Sequence, residues 1–198
     1  MKKIPFLLIL VLMLAVGCEN NYIPKPKGFL RLDLPKKTYV PFDSVGFPYS
    51  FYIPDYVQIK TDDKNPNEPY WINLDYKPFN AVLYLSYKKV NNNLDVYLED
   101  SRGFVNKHIP KANAINEKNY INTSEKVFGL VFDIEGSGAA SPLQFYLTDS
   151  TQNFVRGALY FNFTPNNDSL APVINYIKQD VTYMIESFKW KNLKGTRK

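Results

Sequence analysis

At 198 residues the chain has room for one domain with a substantial core, and its 45% hydrophobic and 16% aromatic content belongs to a folded protein rather than a disordered one. A single cysteine and a single histidine exclude disulfide frameworks and leave only oxygen ligands for any metal. The formal net charge of +5 falls to +3 once Lys2 and Lys3 leave with a cleaved leader, which is too small to point to nucleic acid.

The chain opens MKKIPFLLILVLMLAVGC, two lysines followed by thirteen apolar positions from Ile4 to Val16. This is the pattern of a signal peptide, residues 1–17, and is too short for a spanning helix, which needs about 20 residues. Ala15, Val16, Gly17 and Cys18 resemble the bacterial lipobox, with Val16 where a small residue is usual. Cys18 is therefore the expected lipidation site and new N-terminus, and several acyl chains on one residue anchor a protein stably. Residues 18–40 then read as a proline-rich tether, since nine of the 14 prolines lie between Pro24 and Pro78.

A single domain is expected over residues 41–198. From Pro41 to Pro69 the aromatics alternate with turn residues, which predicts short strands, and Thr61 to Pro69 is a polar loop. Ala81 to Val90 is a clear strand. Leu94, Leu98, Ser101, Val105, His108, Ala112 and Ile115 then recur at helical spacing, with Pro110 dividing that helix or starting a second. Three strands follow, KVFGLVFDI, PLQFYLT and NFVRGALYFNF, joined by connections too short for anything but antiparallel hairpins. The last segment is a helix capped by Asp168 or Ser169, with Pro172 in its first turn and an apolar stripe of Ile174, Ile177, Val181, Met184 or Ile185, and Phe188. The sum is an α+β domain: an antiparallel β-sheet packed with a mid-chain helical segment and a C-terminal helix, on one face or both. This element order resembles the Mog1/PsbP-like arrangement.

No catalytic or metal constellation emerges. Asp63, Asn65 and Asn67 alternate as in a calcium loop, but Glu68 replaces the turn glycine and Leu74 the bidentate glutamate. A hydrolytic triad would have to use His108 with a serine such as Ser150 and an aspartate such as Asp149, and no nucleophile elbow is present. Ser86 and Lys89 are spaced as Ser-x-x-Lys on a strand, without the partner motifs. Gly136 and Gly138 precede a strand, where a phosphate cradle needs a helix. Trp71 either anchors its loop or stacks on a sugar or peptide. Arg156 is the notable charge, because it interrupts an apolar strand. If Thr148 and Phe154 close the hairpin, Gln144, Tyr146, Arg156 and Ala158 share one face. Gln144, Asp149 and Arg156 then form a candidate polar cluster, either fixing helix to sheet or docking another chain, with Asp149 or Asp180 as the carboxylate partner.

The segments PKPKGFLRLDLP, LSYKK, KHIPKANAI, GSGAASPLQFYLTDSTQNFVRGALYFNFTPNNDSLAPVINYI and the closing FKW together resemble the gliding motility lipoprotein GldD family. The resemblance spans nearly the whole mature chain, and the block from Ala139 to Pro172 is its most specific part. It implies a cell-envelope lipoprotein of Bacteroidota that serves gliding and the associated type IX secretion machinery, with no enzyme activity, cofactor or catalytic residue assigned. In that lineage surface export follows an acidic run after the cysteine. Here Glu19, Asn20 and Asn21 follow Cys18, so an outer-membrane position facing the periplasm is expected. Asp-Ser pairs at Ser44, Ser150 and Ser169 resemble the periplasmic O-glycosylation motif of the same bacteria. The expected partners are the membrane, through Cys18, and other gliding and secretion envelope proteins. A cell-envelope enzyme or a glycan- or lipid-binding module is the alternative.

Overall fold

The computed structural model describes residues 33–192, so the leader and Cys18 lie outside the described residues. The strands are β1 (Tyr39–Phe42), β2 (Tyr49–Pro54), β3 (Gln58–Thr61), β4 (Ile72–Tyr76), β5 (Ala81–Lys89), β6 (Ala114–Asn122), β7 (Val127–Glu135), β8 (Leu143–Thr148), β9 (Asn153–Phe161) and β10 (Lys189–Trp190). Helix α1 (Leu94–Asn106) lies between β5 and β6, and α2 (Asn167–Glu186) between β9 and β10. Seven strands pair antiparallel in the order β3-β4-β5-β9-β8-β7-β6, and β1, β2 and β10 make a second, small sheet.

Strand periodicity sends alternate residues to opposite faces, and each face of the large sheet carries one helix. Leu83, Leu85, Leu143, Phe145, Leu147, Val155 and Leu159 join Val173, Ile177, Val181, Met184 and Ile185 of α2 in the main core. Tyr49 and Phe51 of the small sheet and Phe188, just ahead of β10, add a ladder of near-parallel rings with centroids 5.6–6.0 Å apart. Each such side chain contributes about 1.5–3 kcal/mol when fully buried. On the other face Leu130, Phe132 and Ile134 of β7 pack with Val105 of α1 in a smaller cluster. Gly157 fits because nothing larger does: a Cβ there would lie 2.2 Å from the Phe145 ring.

Several expectations change. The helical spacing continues on paper to Ile115, but α1 stops at Asn106, and His108 sits in the turn that leads to a short 3-10 segment, Ile109–Lys111. Pro110 lies near the start of that 3-10 segment, so it opens a second, single-turn helical piece. Ile115, expected at the end of the helical spacing, and the residues after it that no pattern marks form β6, a polar edge strand whose side chains are mostly exposed. The last helix begins at Asn167, after an N-cap position at Asn166 without a side-chain cap, so Ser169 lies inside its first turn and Pro172 inside the helix. Strand β1 starts at Tyr39, within the stretch read as tether.

The segment before β1 is fastened to α2. Asp180, fully buried, accepts hydrogen bonds from Lys37 Nζ at 2.8 Å, Tyr39 OH at 2.8 Å and Tyr56 OH at 2.5 Å. Lys37 also donates to the Tyr176 carbonyl and lies 4.0 Å from the Tyr176 ring centroid, and the Tyr176 hydroxyl donates to the Pro35 carbonyl. Burial, reinforced by the neighbouring carboxylate, holds the Tyr39 and Tyr56 phenols well above their ordinary range, so they remain donors.

Candidate functional site

Arg156 projects from β9 onto the α1 face, opposite Tyr146 of β8 and Ser86 of β5. Its Nη2 donates to Gln144 Oε1 at 2.6 Å, and its guanidinium centre lies 4.4 Å from the ring centroid of Phe104 on α1. Gln144 is almost fully buried, and its Nε2 lies 2.9 Å from His108 Nε2.

Donor and acceptor roles in this relay follow from elimination. Arginine has only donors, so the Gln144 oxygen must face it and the amide N–H must face His108. His108 Nε2 is then an acceptor, which fixes the neutral tautomer protonated at Nδ1. Burial, and secondarily the positive charge of Arg156, push the His108 pKa below its usual value, in keeping with that role. Burial also lowers the Arg156 pKa below its ordinary value, against an opposing contribution from the Tyr160 phenol, and the group stays charged.

Beside Arg156 is a cavity of about 360 Å³ with Ser86, Lys88 and Phe154 on its floor and Tyr97 and Phe104 of α1 as a wall. Trp71 closes one end, its indole N–H donating to the Tyr87 carbonyl at 2.7 Å. Lys88 Nζ lies 4.9 Å from the Trp71 ring centroid and is ion-paired with Glu68. Beyond the helix the same face carries Tyr84 and Tyr160, packed edge to face at 5.9 Å.

The expected cluster is therefore brought together in part. Gln144 and Arg156 meet; neither Asp149 nor Asp180 is the carboxylate partner of Arg156. Asp149 closes its own hairpin, where one oxygen accepts from the backbone N–H groups of Thr151, Gln152 and Asn153 at 2.7–2.9 Å and the other from the Asn153 amide. Partial burial pushes its carboxyl upward and these donors outweigh that, leaving it below the ordinary value. Asp180 lies on the far side of the sheet in the Lys37 clasp. Of the three Asp-Ser serines, Ser150 and Ser169 are exposed, while Ser44 is half-buried beside a turn and its carbonyl accepts from Lys191 Nζ. Phe104 and Lys88 went unrecognised in the sequence. The Tyr97, Ser101, Phe104 spacing on one helix side was the available signal for the first.

A second cavity, of about 300 Å³, lies beside the start of α2, where Asn167 donates to the Gly136 and Ala139 carbonyls and Lys178 pairs with Asp133. Its polar groups serve to fasten the loop to the helix.

Fold and groove together define a single α+β domain with a sheet between two helices and one partly uncovered face. It is similar to the solution structure of cyanobacterial PsbP (CyanoP) from Synechocystis sp. PCC 6803, at 8% sequence identity and a TM-score of 0.49, over 82% of this chain and 98% of that one. No curated protein matches the chain. Residues 19–190 match the family of the gliding motility lipoprotein GldD, and the chain belongs to that family. It is thus a lipoprotein associated with gliding motility.

Proposed function

We propose that this chain is a lipid-anchored accessory protein of the gliding motility and type IX secretion machinery, tethered at Cys18 to the outer membrane and facing the periplasm. It acts by protein–protein interaction and performs no reaction. The family match over residues 19–190 carries this reading. In the same reading residues 18–40 are the tether and link, residues 41–198 the folded domain, and Ser44, Ser150 and Ser169 candidate glycosylation sites in Bacteroidota. The groove at Arg156 supports a docking role, since Gln144 and His108 are committed to holding its shape: Gln144 is bonded on both sides, and His108 has an amide, not a hydroxyl or thiol, at its acceptor nitrogen. Deleting the gene is expected to abolish colony spreading and type IX secretion together. Normal spreading and secretion in the deletion strain would refute the proposal.

A further inference from the structure

Half-buried arginines normally neutralise a carboxylate, because desolvating a guanidinium without an anion is costly. None of the ion pairs among the described residues includes Arg156. A hydrogen bond from Nη2 to Gln144, the face of Phe104 and the neighbouring Tyr160 phenol hold it, none of them an anion, and a guanidinium has five N–H donors. Gln144 and the Tyr160 phenol are neutral, so the positive charge has no ion-paired carboxylate next to an aromatic-walled cavity. The other cation there, Lys88, is already balanced by Glu68.

We infer that the groove recognises an extended, acidic peptide segment of a protein partner, with one carboxylate seated on Arg156 and a neighbouring apolar side chain between Phe104 and Trp71. This rests on the docking role proposed above and names the chemistry of the docked segment. Three features select this occupant. The cavity of about 360 Å³ is of the size of one or two side chains. The sheet face continues past it through the exposed Tyr84, so a chain has room to enter and leave. Asp100, the one acidic residue lining the cavity, is exposed on α1 and opposes a second negative charge, which favours a single carboxylate over a phosphate.

The test is a nuclear magnetic resonance titration of the full mature chain in detergent micelles, following the Trp71 indole N–H and the Arg156 Nε–H. The probes are the blocked peptides acetyl-Gly-Asp-Phe-Gly-amide and its Asn counterpart, with inorganic phosphate as a third. The Asp peptide is expected to shift both signals and to bind at least tenfold more tightly than the Asn peptide. Arg156→Met should remove that difference, and Phe104→Ala, at an exposed helix position, should weaken the Asp peptide at least threefold without disturbing the fold. Equal responses to the Asp and Asn peptides, no response to either, or phosphate binding as tightly as the Asp peptide would overturn the inference. A failed titration alongside loss of spreading in the deletion strain would reject the peptide chemistry and leave the accessory role standing. Selective binding alongside normal spreading would keep the site and reject the role.

Discussion

Replacing Asp180 by alanine tests the clasp that fastens the residues ahead of β1 to α2. The carboxylate is fully buried and accepts from one ammonium and two phenols. Hydrogen bonds to a charged group are worth about 1.5–3 kcal/mol each, and breaking a buried ion pair by removing one partner costs about 3–5 kcal/mol. Lys37 keeps 23% of its side-chain surface exposed and can turn to water, so the lower end applies, about 3 kcal/mol. That is a large fraction of the roughly 5–15 kcal/mol by which domains are stable. Urea unfolding followed by tryptophan fluorescence reads the loss. Lys37→Met should cost less, about 1–2 kcal/mol, because the two phenols still solvate the carboxylate. In the Asp180→Ala background the same lysine change should cost clearly less than it does alone, since the carboxylate has gone and only the contacts to the Tyr176 carbonyl and ring remain to be lost. A cost below about 1 kcal/mol for Asp180→Ala, or additive losses in the double variant, would refute the assignment of the clasp as a coupled, buried unit.

Two glycines give opposite expectations. Gly157→Ala drives a methyl against the Phe145 ring and should cost about 1–3 kcal/mol in the same unfolding assay, whereas Gly103→Ala on α1 meets nothing within 4 Å and should stabilise by about 0.5–1 kcal/mol. His108, with its pKa depressed in the fold, takes up a proton more readily when unfolded, so its contribution lowers stability as pH falls through 6.5. An NMR titration of the His108 ring should place its pKa below 6.5, and Arg156→Met should move it upward; an unchanged value in that variant would contradict the relay.

Local periodicity exposed the parts of the fold that bury one face. The α2 stripe reads directly off Ile174, Ile177, Val181, Met184 and Ile185, all of them core residues, while Phe188, expected in the same stripe, is buried but lies past the helix end at Glu186; the β8–β9 hairpin closes at Thr148 opposite Phe154 as period-2 spacing requires. Strand β6 escaped because an edge strand needs little apolar surface: AINEKNYIN has the composition of a loop, and its ladder with β7 is what makes it a strand. The small sheet was equally hidden, since the pairing of Tyr49 with Trp190 joins distant parts of the chain. In the site, parity alone placed Gln144 beside Arg156. Phe104 and His108 reach them through the docking of α1, a tertiary event that leaves no local pattern. The expected carboxylate partners failed for separate reasons: the Asp149 oxygens are consumed by their own turn, and Asp180 stands behind the sheet.

That separation of Asp180 from Arg156 puts the clasp and the groove on opposite faces of the seven-stranded sheet. The clasp fixes Pro35 and Lys37 to α2, whereas the groove opens on the α1 face, on the other side of the seven-stranded sheet. Residues 19–34 number sixteen, a contour of at most about 55 Å from the proposed lipid anchor to the clasp. In the proposed arrangement the chain is thus held by one side and reads its partner with the other. Clasp and groove should therefore fail independently: Asp180→Ala should loosen the attachment of residues 35–39, seen as faster amide exchange there, and leave the Arg156 signal in place. Arg156→Met should do the reverse. Coupled loss of both in either single variant would show that the sheet does not isolate its two faces, and would refute a domain in which anchoring and recognition occupy opposite layers.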